Sequence, residues 1–215
     1  MGECGETARP YLELAHPPQE LRSFRYVLPW LMAAPVLDLG CASGAYLRHF
    51  PEGSLGVDVS RPNLESCRQL GLRVIPGDLL RQLPWAESSF PSIFCAHVLE
   101  HVDSPINLLR ECHRVLEPGG LLVLGLPIES SIVNRLRGQR YFCHHPGHLY
   151  SFSLENIEVL LCKSGFQIVR HYFEPRIVPG RVWLALMQSM PSPVAYALAL
   201  AYWVVARKKE ELNLG

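Results

Sequence analysis

Short apolar runs recur through the first part of the chain, separated by stretches in which apolar and polar residues alternate at helical spacing. Val36-Leu37-Asp38-Leu39 is the first run, and Ser54–Asp58, Leu72–Ile75, Ser92–Ala96 and Leu121–Leu124 follow. Runs of this length, too short for a helix and mainly apolar, predict strands buried on both faces. Between them lie helix signals. Leu21, Phe24, Val27 and Leu28 predict an opening helix within Pro18–Trp30. Ser60 caps a helix that Gly71 stops, and Ser104-Pro105 opens another that ends before Pro118-Gly119-Gly120. Strands alternating with helices predict a doubly wound α/β domain, its sheet mainly parallel and covered on both faces.

The last third changes character. Ser153–Ser164 reads as a capped helix stopped by Gly165, and Phe166–Phe173 as a sixth strand. No charged residue occurs between Arg181 and Arg207. The stretch is long enough for a bilayer span, which needs about 20 apolar residues. Pro191 and Pro193, with Gln188, Ser189 and Ser192, split it into two shorter pieces instead. Its end, Tyr202–Ala206, has the aromatic and β-branched bias of a seventh strand. Three readings of Val182–Leu200 stay open: a lid over a lipid-like or prenylated molecule, a surface resting on a bilayer, or a helical pair buried on the core or in a dimer.

Composition narrows the classes. A chain of 215 residues that is 48% hydrophobic supports one sizeable core. We expect a polar leader over 1–17 and a single domain over 18–215, with 181–200 as an apolar insertion or lid. Lys+Arg and Asp+Glu both number 20, so nothing points to a nucleic-acid groove. Seven Cys without a C-x-x-C pair argue for reduced thiols, against a disulfide framework or zinc cluster. The polar, acidic start Met1–Glu6 lacks the pattern of a secretion signal. The expected setting is the cytoplasm, either free or in contact with a membrane surface. Oligomeric state does not follow from the sequence.

Candidate chemistry gathers where the first strand ends. Val36–Gly44 sends a buried strand into a tight turn of small residues, against which a ligand can lie, with a helix expected after it. In open parallel sheets, ligands bind beyond the carboxyl ends of the strands, where the strand order reverses. Asp58 closes the second strand about twenty residues on, where a carboxylate can accept from both ribose hydroxyls. In register, these features favour an adenosyl ligand. Gly40, Ala42 and Gly44, with no third glycine in place, depart from the dinucleotide turn, and no triphosphate loop occurs. Asp38 would repel phosphates and attract an ammonium or sulfonium. Charge thus favours S-adenosylmethionine over NAD.

The motifs resemble those of class I methyltransferases of the type 11 group, which includes the ubiquinone-biosynthesis O-methyltransferases. The resemblance runs from about Val36 to Pro127 and more loosely to Lys208. It rests on Val36–Gly44, Gly56-Val57-Asp58-Val59-Ser60, Gly77-Asp78-Leu79, Phe90 through Val102 ending His97-Val98-Leu99-Glu100-His101-Val102, and Leu109-Arg110-Glu111 with Arg114–Gly120. It implies a Rossmann-like, seven-stranded sheet with an antiparallel last strand, binding S-adenosylmethionine and releasing S-adenosylhomocysteine. The residues it implies for the cofactor are Asp38, Gly40, Cys41, Ala42, Gly44, Asp58, Val59, Asp78, Leu79, Ala96 and His97. On this reading Asp38, Ala96 and His97 lie at the methionine end, Asp58 and Val59 at the ribose, and Asp78 and Leu79 at the adenine. The alternative for Asp78 is a helix cap after a glycine, and His97 reads equally as an ordinary strand-end histidine. Two departures stand out. Pro91 replaces the usual Asp and is expected to shift a strand start; Ala42 replaces a glycine and is expected to cost little, on a backbone free of strain.

Methyl transfer chiefly requires acceptor and methyl held in line at about 3–3.5 Å. A hydroxyl acceptor also needs a base, for which histidine is suited near neutral pH. His101 follows the fourth strand, and His144, His145 and His148 follow the fifth. We expect His148 and His101 as catalytic candidates and His145, His148 and Tyr150 at the acceptor. Cys143–His148 contains metal-type donors, but Pro146 and Gly147 make their side chains diverge, so no metal is expected. The acceptor expected is a small molecule, lipid-like or a cell-surface saccharide precursor, methylated at oxygen, nitrogen or carbon. The alternative is a non-catalytic adenosyl-binding partner protein that assembles through its apolar C-terminal segment.

Overall fold

The computed structural model describes residues 21–128, 147–175 and 181–209. The expected leader, and the candidates His144 and His145, lie outside them. Seven strands form one sheet: β1 (Val36–Leu39), β2 (Leu55–Asp58), β3 (Val74–Pro76), β4 (Phe90–Ala96), β5 (Leu116–Pro127), β6 (Phe166–Pro175) and β7 (Ala199–Lys208). Their order is β3-β2-β1-β4-β5-β7-β6. The first five pair in parallel, while β7 inserts between β5 and β6 and runs antiparallel to both. The order reverses between β1 and β4, which places the switch point at the ends Leu39 and Ala96.

Helices follow the sequence signals closely. They are α1 (Leu21–Val27), α2 (Arg61–Gln69), α3 (Pro105–Val115), α4 (Leu154–Lys163), α5 (Arg181–Ser189) and α6 (Ser192–Leu198). Ser60 and Ser153 cap α2 and α4 by accepting from the backbone N–H groups of Asn63 and Asn156. Each central strand sends alternate side chains to opposite faces. Val36, Phe94, Val123, Trp203 and Val205 pack under α1, while Leu37, Leu39, Ile93, Leu122, Leu124 and Val204 join the core on the opposite face. Pro91 falls at an irregularity: Phe90 pairs with Leu116 but Ser92 with Leu121, so the Glu117–Gly120 turn bulges opposite it. A residue without an N–H fits such a bulge without breaking the ladder.

One expectation fails. No α-helix follows the turn after β1; only a 3-10 turn forms, over Leu47–His49. Gly40, Ala42 and Gly44 all have positive φ, at 72°, 45° and 81°, which no helix can include. Pro51 then forces Phe50 into extended backbone, and the interval is too short for an α-helix to form.

The apolar stretch folds as α5 and α6, broken at the prolines as expected. Among the described residues no helix is long and apolar enough to cross a membrane. Gln188 fastens α5 to β6 by accepting from the Phe173 N–H at 2.9 Å and donating to the Phe173 carbonyl at 2.7 Å. Met187 and Ala195 are buried, whereas Leu186 and Val194 face outward.

Candidate functional site

The turn after β1 is sewn to the end of β2. The N–H groups of Gly40 and Cys41 both donate to the Val57 carbonyl, at 2.8 and 3.0 Å. Asp58 completes the seam: its Oδ2 accepts from the Ala42 N–H at 2.9 Å and its Oδ1 from the Ser60 N–H at 2.7 Å. The carboxylate therefore turns toward the glycine turn, away from bulk water, and clamps both loops at once. Each oxygen keeps accepting capacity for another donor.

The glycines are demanded by the chain's own packing. A Cβ on Gly40 would stand 2.3 Å from Val98 Cγ2, and one on Gly44 would stand 2.4 Å from Leu72 Cδ1. Cys41 points inward, against Gly56, so only its backbone faces the turn; burial pushes its thiol far above the usual range. Asp38 is 2% exposed, and its Oδ2 has no hydrogen-bond partner among the described residues. Burial, reinforced by Asp58, raises its pKa well above the ordinary carboxylate range.

At the neighbouring strand ends, Val59 is 77% exposed. Asp78 is exposed too and caps its own turn, accepting from the Leu80 N–H at 3.0 Å and pairing with Arg81 at 3.3 Å. Leu79 packs on the core. This segment leads into a loop stapled to α3. Arg114 donates to the carbonyls of Trp85 and Leu83 at 2.7 and 3.0 Å and pairs with Glu111 at 2.7 Å, while Glu111 accepts from the Leu83 N–H. Arg114 holds the Glu111 carboxyl below its usual pKa. The Leu109–Gly120 motif thus serves the loop beside Asp78 from a distance.

Beyond β4, the chain turns sharply. His97 has φ 55°, and its N–H donates to the Gly125 carbonyl at 2.9 Å. The loop is then bound to the segment before α4: Leu149 N–H donates to the Glu100 carbonyl at 2.7 Å, and Tyr150 Oη to the Asp103 carbonyl at 2.9 Å. His101 Nδ1 lies 2.9 Å from the Gly147 carbonyl, so it carries the proton and donates. The rings of His101 and His148 meet edge to face, with centroids 4.7 Å apart. Glu100, His101 and His148 each place one donor atom within 4.8 Å of the others. The structure therefore brings His101 and His148 together, and it commits the Tyr150 hydroxyl to the backbone.

Residues 37–124 match the family model described as a methyltransferase domain. Over those residues the chain carries a methyltransferase domain of the class I type 11 group. It is 29% identical over 131 residues to the probable methyltransferase ltbC of Aspergillus luteorubrus, covering 51% of this chain and 46% of that protein. It is 33% identical over 129 residues to the thiol S-methyltransferase TMT1B of Mus musculus, covering 54% of this chain and 52% of that one. The chain thus spans about half the length of these relatives. A solved S-adenosylmethionine-dependent methyltransferase from Mesorhizobium loti shares the fold, with a TM-score of 0.67 at 20% identity over 89% of this chain and 99% of that one.

The cofactor of this methyltransferase family is S-adenosylmethionine, and the residues present fit it. A buried carboxyl with an unpartnered oxygen suits an ammonium group, whose positive charge would favour its ionised form.

Ala42 corrects one expectation. Its φ of 45° lies in the left-handed region, so its methyl group is strained, contrary to the strain-free backbone expected there. Ala42→Gly should therefore stabilise the domain by about 1 kcal/mol. That raises Tm by about 2–4 °C in a domain of this size, measurable by calorimetric scanning. A lower Tm would show that the turn is not held left-handed.

Sequence reasoning passed over Glu100. Nothing local in the His97–Val102 motif marks its burial. The Leu149 and Tyr150 N–H groups that dock on its carbonyl come from far along the chain.

Proposed function

We propose that this chain transfers a methyl group from S-adenosylmethionine to a small-molecule acceptor. One observation carries the reading. At the switch point a buried carboxyl, Asp38, and a strand-end carboxylate, Asp58, flank a left-handed turn that Asp58 itself fastens. Bound S-adenosylmethionine would supply a methyl already activated on a sulfonium. Asp38 with the Gly40–Gly44 backbone, Ala96 and His97 would hold the methionine end. Asp58 and Val59 would take the ribose, and Asp78 and Leu79 the adenine.

His101 and His148 would wall the acceptor side, with Tyr150 two residues beyond His148. The pair α5–α6 would lie over it as a lid for an apolar or lipid-like acceptor. Supporting this, Tyr196 on α6 donates to the Phe152 carbonyl, just beyond His148 and Tyr150. The thiol S-methyltransferase relative adds sulfur to the acceptor atoms worth screening.

Titration calorimetry with S-adenosylhomocysteine tests the cofactor assignment, and no detectable heat at millimolar ligand would end it. Turnover of a panel of phenols, amines and thiols separates a catalyst from a binding protein. His148→Ala should lower turnover by about tenfold or more, with S-adenosylhomocysteine affinity unchanged within about twofold. Undiminished turnover would place the acceptor elsewhere.

A further inference from the structure

We propose that His97 and Glu100 work as a pair, His97 Nε2 receiving the acceptor's proton while Glu100 holds the ring from behind. This rests on the methyltransferase reading above and names the base that reading leaves open.

Glu100 is 0% exposed, and neither carboxylate oxygen has a hydrogen-bond partner among the described residues. A buried carboxylate without compensation is costly. Its compensation is imidazole. His97 Nδ1 lies 3.6 Å from Oε1, beyond hydrogen-bond length but within ion-pair reach, and His101 and His148 complete the surroundings. Burial alone would raise the Glu100 pKa, yet His97, the residue's own backbone N–H and His101 draw it below the ordinary value. The other titratable groups facing Glu100 are Cys95 on β4 and Tyr202 on β7, and burial pushes both upward and keeps them neutral. Among the described residues, the imidazoles are the groups there that can carry positive charge.

His97 is also placed for chemistry. It follows the last residue of β4, at the switch point, and its neighbour Val98 touches Gly40 of the cofactor turn. Its side chain is 20% exposed, so it is reachable. A non-glycine residue at φ 55° is strained, and strain of this kind persists where surrounding contacts enforce it, often at functional sites. Here the bond to the Gly125 carbonyl enforces it.

With Nδ1–H directed at Glu100, the lone pair of neutral His97 resides on Nε2. The acceptor's proton passes to Nε2, and the electron pair it leaves forms the bond to the methyl carbon. The carbon–sulfur pair goes to sulfur, giving S-adenosylhomocysteine, and His97 then releases its proton to water. Glu100 touches none of the reacting atoms and is a positioning residue.

The test is NMR of the full chain labelled with carbon-13 and nitrogen-15 at histidine, saturated with S-adenosylhomocysteine and titrated from about pH 5.5 to 9. His97→Gln assigns the resonance. The expected result is the Nδ1–H tautomer for neutral His97. In Glu100→Gln its midpoint should fall by about one unit, because the lost anion no longer favours imidazolium. Glu100→Asp should restore most of that shift, and cofactor affinity should hold within about twofold.

An Nε2–H tautomer in the unaltered protein overturns the proposal, and needs no variant to fold. So does an unmoved midpoint in folded Glu100→Gln, or a histidine spectrum that changes on chelation, which would put a bound cation beside Glu100. Failure of S-adenosylhomocysteine to bind would instead sink the methyltransferase reading itself.

Discussion

Asp58→Ala should weaken S-adenosylhomocysteine binding by about 1.5–3 kcal/mol, the range of hydrogen bonds to a charged group. That is a loss of roughly 10- to 150-fold in affinity. Two effects act together. On the proposed reading the ribose loses its acceptor, and the Ala42 and Ser60 N–H groups lose the carboxylate that now fastens both loops. Calorimetry and thermal melting on the same variant separate them. A lower Tm with affinity unchanged within about twofold would make Asp58 a loop clamp alone. Asp58→Asn is the informative companion, since its carboxamide presents one accepting oxygen where two are used.

Trp203→Ala should cost about 3–5 kcal/mol of unfolding free energy, the usual range for deleting a buried large aromatic. In a domain of this size Tm falls by roughly 6–20 °C. The indole is 1% exposed. It stacks on Phe94 at 5.6 Å and meets Tyr46 edge-on at 5.9 Å, and a Cβ on Gly125 would stand 2.6 Å from its ring. Its Nε1–H donates to Ser23 Oγ at 2.7 Å, and Ser23 in turn donates to Glu174 at 2.6 Å. The substitution therefore strips α1 of its anchor as well as opening a cavity. Urea unfolding followed by circular dichroism gives the number, and a loss below about 1 kcal/mol would mean that α1 docks without the indole.

The sheet was largely legible because its strands are buried on both faces, so β1 reads as an unbroken apolar run with Asp38 as its one exception. The capping serines of α2 and α4 were legible for a similarly local reason. What escaped was non-local. The helix expected after β1 fails through backbone angles at Gly40, Ala42 and Gly44 that spacing alone does not reveal. Glycines read as room for a ligand turn out to make room for Val98 and Leu72. Glu100 looked like one more loop acid until the segment carrying Leu149 closed over it. The cofactor candidates lie in or just beyond the ends of β1, β2, β3 and β4, where the strand pattern alone gathers them. His101 and His148 are brought together by loops from distant parts of the chain, and residue order alone does not assemble them.

The insertion of β7 between β5 and β6 has a consequence for biosynthesis. A ribosome delivers β6 before the strand that must separate it from β5, so the nascent sheet carries an open edge along β5 for the time taken to translate α5, α6 and β7. That edge is apolar and unprotected, a natural template for mispairing. Chains arrested before Ala199 should therefore depend on chaperones far more than finished ones.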